Sequence, residues 1–289
     1  MRSETEIKKL IINFAINEKR IRSVLLNGSK ANPNIPPDSY QDFDIVFIVN
    51  DLEYFTSNHN WVKIFGEILI WQLPNEMTVG TPNPDGFGYL MIFEDGNRID
   101  LTLHPAEKVT KNYWPDSLTI CLLDKDKQFE GLPLPNDSDY FIKRPSRKEF
   151  NDTCNEFWWV STYVAKGLLR NEITYAKEMA ETVMRPMLMK LIEWKIGIEN
   201  EFSVSFGKAG KFMSKYVSKE YYAKVLQTFS DSDVENNWKA LFNMMDLFEQ
   251  TSNDVSVKLN FQINKSEQQN TIQYLRKQYY EKKSYPNKI

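Results

Sequence analysis

Residues 26–49 read LNGSKANPNIPPDSYQDFDIVFIV, and the fold can be reasoned outward from them. Just upstream, Ile21 to Leu26 is short and mostly apolar and runs into Asn27-Gly28, which suits a strand entering a tight turn. Pro33, Pro36 and Pro37 then impose an irregular loop. The run from Asp42 to Val49 is rich in β-branched and aromatic residues and reads as a largely buried strand. Side chains alternate along a strand, so Asp42 and Asp44 project from one face while Phe43 and Ile45 point to the other, into a core. A lone D-x-D also occurs at solvated strand starts and turns. Here five apolar residues follow Asp44, placing a carboxylate near a buried sheet, where an unpaired charge is costly. Magnesium would resolve the conflict, since it is commonly shared between one or two carboxylates and substrate phosphates. Gly28-Ser29 supplies a matching half. The glycine permits close backbone approach to a phosphate, Ser29 offers a hydroxyl, a helix beginning near Ser29 would aim its positive end and free N–H groups at a triphosphate, and Lys30 adds a cation.

Before this stretch, Ser3-Glu4-Thr5-Glu6 forms a capping box followed by Ile7, Leu10, Ile11 and Phe14 at helical spacing, a helix expected to end near Asn17. After it, Tyr89–Phe93 and Arg98–Leu103 flank a Glu94–Asn97 turn with Gly96 at its tip, a β-hairpin that carries Asp100 on its second strand. Residues 131–145 are polar and Pro-punctuated and form the expected linker. From Ser146 the texture is helical. Ser146-Arg147-Lys148-Glu149 is a second capping box opening a helix through Val164, Asn171-Glu172 can start another that Pro186 would kink or interrupt, and further helices fit Ser218–Phe229 and Ser232 to about Val255. Beyond Asn260 the chain is polar and Lys-rich and is expected to be a frayed, solvated terminus.

The reading is therefore α+β for the first part, a mixed sheet with helices, plus a C-terminal helical domain, with domains at 1–145 and 146–289. The 289 residues suffice for two cores, and 42% apolar and 13% aromatic residues exclude global disorder. Thirty-six Lys and Arg against 39 Asp and Glu leave a net charge of −3, which lacks the positive field of a dedicated nucleic-acid binder. Cys121 and Cys154, with only His59 and His104 to help them, give neither a zinc spacing nor a disulfide framework. The first residues carry charges throughout their apolar stretch, and no run reaches membrane-spanning length. A cytoplasmic protein with no membrane or nucleic-acid partner is expected. Its oligomeric state stays open, with a monomer favoured.

Gly28-Ser29, twelve residues, then Asp42-x-Asp44 and a later strand Asp100 resembles the nucleotidyltransferase superfamily that includes DNA polymerase beta. The surrounding segments are more specific. LNGSKANPNIPPDSYQDFDIVFIV, FEDGNRIDLTL, RPSRKEFNDTCNEFWWVSTYVAKGLLRNE and GKAGKFMSKY look like the aminoglycoside 6-adenylyltransferases, which modify streptomycin, over residues 1 to about 250. The resemblance implies an N-terminal nucleotidyltransferase domain like that of polymerase beta, ATP as co-substrate, a two-metal Mg2+ site, and transfer of AMP to an aminoglycoside hydroxyl as an antibiotic-resistance activity. Carried over, Asp42, Asp44 and Asp100 hold the metals and Gly28 and Ser29 contact the triphosphate. Family members carry an acidic residue before the Gly-Ser pair and an arginine after it, where this chain has Asn27 and Lys30.

Aminoglycosides are polycations, so their site should combine carboxylates with flat apolar surface. Asp152 and Glu156 share a helix face with Trp158 and Trp159 close by, and are the expected substrate contacts. The same residues also suit an ordinary amphipathic helix. Lys166, Arg170, Lys208 and Lys211 are candidates for the triphosphate, or solvated helix cations. His104 shares the facing of Asp100 and suits a neutral, hydrogen-bonded role. Transfer to another small molecule or to a protein, and a nucleotide-binding module without transfer activity, are the alternatives.

Overall fold

Helix α1 (Glu4–Asn17) begins as its capping box dictates. The Ser3 hydroxyl accepts from the Glu6 N–H at 3.3 Å while the Glu6 carboxylate accepts from the Ser3 N–H at 2.7 Å. Ile7, Ile11 and Ala15, one turn apart, are fully buried and form the stripe that docks this helix on a sheet. The computed structural model describes residues 1–109 and 115–284, and the chain divides into two units at Asp139/Tyr140, inside the Pro-punctuated segment.

The first unit holds six strands: β1 (Ile21–Asn27), β2 (Phe43–Val49), β3 (Ile68–Gln72), β4 (Phe87–Phe93), β5 (Arg98–Pro105) and β6 (Thr119–Asp124), in the order β3-β4-β5-β2-β1-β6. Among the described residues only β2 and β5 pair in parallel; the other neighbours are antiparallel. Phe43, Ile45, Phe47 and Val49 face the α1 layer in one cluster with Ile7, Ile11, Leu101 and Leu103. Alternation sends Asp44, Val46 and Ile48 to the opposite face, where a smaller cluster of Leu25, Ile48 and Phe129 lies. The hairpin joining β4 to β5 turns at Gly96, whose φ of 81° takes the left-handed conformation the turn requires. Strands β3 and β6, which pattern alone did not suggest, form the two edges. A short helix α2 (Leu52–Thr56) follows β2 and buries Phe55.

The second unit is helical: α3 (Arg147–Leu169), α4 (Ile173–Met179), α5 (Arg185–Glu199), α6 (Met213–Tyr216), α7 (Lys219–Leu226), α8 (Val234–Leu259) and α9 (Lys265–Ser284). Ser146 and Glu149 cap α3 reciprocally, and Asn171 at φ 61° turns the chain out of it. The helical backbone runs on from α4 into α5, and the α-helical pattern is interrupted immediately before Pro186 by a π-helical turn at Ala180–Met184, as expected of a proline that lacks its N–H.

The C-terminal tail corrects the expectation of fraying. It forms the 20-residue helix α9, with Gln268, Ile272 and Leu275 buried at helical spacing. Asn155 Nδ2 on α3 donates to Glu267 Oε1 at 2.6 Å, and Lys282 Nζ donates to the carbonyls of Leu168 and Leu169, both at 2.9 Å, closing the end of α3. Three buried residues are too few to raise the polar average of the tail, yet enough to dock it. Among the described residues no helix is long and apolar enough to cross a membrane. Both cysteines are free, and burial pushes the Cys154 thiol up to about 12, which leaves it inert as a nucleophile.

Candidate active site

One row of the sheet register crosses all six strands: Thr119, Asn27, Asp44, Asp100, Leu90 and Gln72. Because β2 and β5 are parallel neighbours, Asp44 and Asp100 are directly paired and project from the same face, about 4.8 Å apart along the hydrogen-bonding direction. Asp42, two residues before Asp44, shares that facing. The row continues on β1 and β6 through the amide of Asn27, whose Oδ1 accepts from Thr119 Oγ1 at 3.0 Å.

Gly28 leaves β1 with φ +70°, and its N–H donates to the Leu118 carbonyl at 3.2 Å. A Cβ at this position would lie 2.2 Å from Asp44 Oδ2, so the carboxylate rests against bare glycine backbone. Ser29 and Lys30 complete a 3-10 turn closed by the Ala31 N–H on the Gly28 carbonyl at 3.1 Å. Gln41 Nε2 donates to the Ser29 carbonyl at 3.2 Å, tying the end of the Pro-rich loop to the turn immediately before Asp42. Gly28, Ser29, Asp42, Asp44 and Asp100 are thus assembled at one end of the central strands.

Arg98 carries no role in the sequence reading, yet it lies among these carboxylates. Its Nε and Nη2 donate to the two oxygens of Asp100 at 2.8 and 2.7 Å, and its Nε is 3.6 Å from Asp42 Oδ2. The hydrogen bond to Asp100 raises the Arg98 pKa, with Asp42 and Asp44 adding to the shift against the opposing effect of burial. The available signal was the R-I-D spacing, since residues two apart on a strand share a face. Among the described residues no group of three or more His, Cys, Asp or Glu side chains is drawn together as a ready metal site. The donors are hard carboxylate oxygens in an open row, which suits a magnesium ion that completes its shell with waters and phosphates rather than with protein alone. His104, further along the same face, is buried, and desolvation lowers its pKa, which favours the neutral imidazole.

The Lys30 side chain lies apart from the carboxylate row. It is 6% exposed, with Nζ 3.4 Å from Glu4 Oε2 and 4.4 Å from the centre of the Phe43 ring. Glu4 and Phe43 belong to the α1 side of the sheet, so the ammonium is held on the face opposite the carboxylates. The turn after Gly28 leaves either face open to this side chain, and the Phe43 ring and Glu4 carboxylate take it.

In the helical unit, the expected substrate residues separate by helical phase. Trp158 is 4% exposed and packs edge-on against Phe157 and Phe248, a core residue rather than a surface platform. Trp159 is 59% exposed, and its Nε1 donates to Tyr163 Oη at 2.7 Å. Asp152, Glu156, Trp159 and Tyr163 follow one another at four-, three- and four-residue steps and form a continuous acidic and aromatic stripe on α3. Asp152 pairs with Lys148 within that helix. Lys166 and Arg170 are exposed near the C-terminal end of α3, Lys166 about 21 Å along the axis from Asp152. Lys208 and Lys211 project from a loop in which Gly207, Ala209 and Gly210 all have positive φ.

Comparison with known proteins places the chain in a family. The chain is similar to the aminoglycoside 6-adenylyltransferase of Campylobacter jejuni, 43% identical over 262 residues and 91% of each chain. It is similar to that of Bacillus subtilis strain 168, 43% identical over 259 residues, covering 89% of this chain and 91% of the relative. The enzyme of the same name from Staphylococcus aureus is 39% identical over 264 residues, 90% of this chain and 93% of the relative. A family model described as streptomycin adenylyltransferase matches residues 1–278, and the chain belongs to that family of nucleotidyltransferases.

Proposed function

We propose that this nucleotidyltransferase transfers AMP from ATP to a hydroxyl group of streptomycin or a related aminoglycoside, releasing pyrophosphate, with magnesium held by Asp42, Asp44 and Asp100. The observation that carries the reading is the pairing of Asp44 with Asp100 across the parallel β2/β5 ladder, with Asp42 on the same face and Gly28 against Asp44. Magnesium bound there would draw charge from the attacking hydroxyl and from the departing pyrophosphate. Asp42 and Asp44 would present the oxygens that hold it. Asp100, at the far side of the row from Gly28, serves the attacking hydroxyl, as ligand on that side or as acceptor of its proton. The hydroxyl oxygen forms a bond to the α-phosphorus, the bond from that phosphorus to the bridging oxygen breaks, and pyrophosphate leaves. The Gly28-Ser29 turn brings backbone close to the triphosphate without a Cβ in the way.

Acceptor recognition is assigned to Asp152, Glu156 and Trp159, with Tyr163 added to the stripe. Carboxylates pair with the cationic groups of the antibiotic, and the exposed indole offers a flat apolar face that also favours cations. Glu156→Gln is expected to raise KM for the aminoglycoside roughly tenfold, the worth of one charge-assisted hydrogen bond, with kcat little changed. Steady-state kinetics with the acceptor varied checks this, and an unchanged KM removes Glu156 from the site. Lys30→Met is expected to lower stability by about 1 kcal/mol, because the ammonium no longer sits over the Phe43 ring, and to leave KM for ATP within about twofold of wild type. Thermal melts and ATP titrations check the pair, and a large rise in KM would restore Lys30 to the triphosphate.

Incubating the protein with ATP, magnesium and a panel of aminoglycosides and lincosamides, followed by mass spectrometry, tests the function as a whole. An AMP adduct on streptomycin supports the reading in full. An adduct on another compound moves the specificity, and no adduct with any member contradicts it.

A further inference from the structure

The Arg98 guanidinium occupies both oxygens of Asp100 in a parallel fork and lies 3.6 Å from Asp42. A fork of this kind takes one lone pair on each carboxylate oxygen, about half of the sites open to a divalent cation, and sets a like charge beside them. We infer that Arg98 is the resident counter-cation of the carboxylate row, steadying Asp42 and Asp100 in the metal-free protein and yielding Asp100 when a divalent cation binds. The inference rests on the reading of this row as a metal site.

Strand alternation fixes the arrangement. Arg98 and Asp100 share a face of β5, and Asp42 and Asp44 point from the same face of the parallel neighbour β2, so one cation meets several carboxylates that would otherwise repel one another. The side chains of Arg98, Asp42 and Asp100 are 40%, 36% and 21% exposed. Water therefore screens the pairs, and each is weak enough for a doubly charged ion to displace. The displaced side chain has somewhere to go. Beside Arg98 a groove of 540 Å³ is lined by Gln72, Leu90 and Ile92, and also by Glu76, a second carboxylate within the same concavity. Arg98 thereby sets the concentration at which the site loads and keeps the carboxylates in place until it does. It is a positioning residue.

The test is a titration of the full-length, nucleotide-free protein with Mn2+, followed by electron paramagnetic resonance of the free ion, on wild type, Arg98→Gln, Arg98→Lys and Asp44→Asn. Removing the competing cation is expected to tighten Mn2+ binding by roughly five- to tenfold in Arg98→Gln. Arg98→Lys keeps the charge without the fork and should tighten it by about two- to threefold. The metal-free Arg98→Gln protein should also melt lower than wild type and gain more from Mn2+. A purely structural role would weaken metal binding on substitution, the opposite sign. Mn2+ binding that Asp44→Asn abolishes but neither Arg98 variant tightens overturns the role of Arg98 while the metal site stands. Binding indifferent to Asp44→Asn overturns the metal reading and Arg98 with it. If Arg98→Gln does not fold, Arg98→Lys decides between the same outcomes.

Discussion

Asp44→Asn is expected to lower kcat/KM for AMP transfer by about 10³-fold or more while the protein melts no lower than wild type. The substitution exchanges an oxygen for a nitrogen at nearly constant shape, so the packing against Gly28 survives. What it removes is the charge at the centre of the row, between the amide of Asn27 on one side and Asp100 on the other. A neutral amide is a poor magnesium ligand, and no neighbouring residue in the row can replace it, since Asp42 and Asp100 already have their own positions. Stability moves the other way, because one of three like charges on a single face is gone. Kinetics and a thermal melt on the same preparation separate the two effects. Activity near wild type would contradict the placement of Asp44 in the chemistry.

Gly28→Ala should be nearly as severe for a different reason. At φ +70° an alanine costs about 1 kcal/mol in backbone strain alone. Its Cβ would lie 2.2 Å from Asp44 Oδ2, so either the carboxylate rotates off the row or the turn moves away from β2. Both outcomes misplace the Gly28-Ser29 turn relative to the carboxylates by an ångström or so, enough to cost about 10²-fold in rate. We expect kcat/KM to fall by at least that factor and stability by about 1–3 kcal/mol, with the circular dichroism spectrum of the folded protein unchanged. Wild-type turnover in Gly28→Ala would mean that the close approach of Gly28 to Asp44 has no part in catalysis.

The period-two rule suffices to place Asp42 and Asp44 on one face, and the two capping boxes suffice to start α1 and α3, because these are local consequences of local sequence. The alignment of Asp44 with Asp100 is not local. It depends on β2 pairing in parallel with β5 rather than with the β-hairpin partner of β5, a choice made by the whole sheet. Lys30 escapes the local rules for a related reason: one residue past a glycine with positive φ, the side chain's face is set by Phe43 and by Glu4 on a different element. For Trp158 and Trp159 the difficulty is phase. Four consecutive apolar residues, Phe157 to Val160, fit several rotations of an amphipathic helix, and packing against Phe248 selects the one that buries Trp158 and exposes Trp159. Strand β3 is exposed along most of its length and so carries no alternation to read. In α9 the buried stripe of Gln268, Ile272 and Leu275 is diluted by a polar majority.

The central claim is that the Asp42, Asp44 and Asp100 row directs attack of an aminoglycoside hydroxyl on the α-phosphate of ATP. Its most direct test follows radiolabel from ATP, labelled at either the α- or the γ-phosphate, in the presence of magnesium and streptomycin. The account predicts α-label on the antibiotic, γ-label in pyrophosphate, and neither with Asp44→Asn. Label from the γ-phosphate on the antibiotic, or α-label transferred equally well by Asp44→Asn, would contradict it.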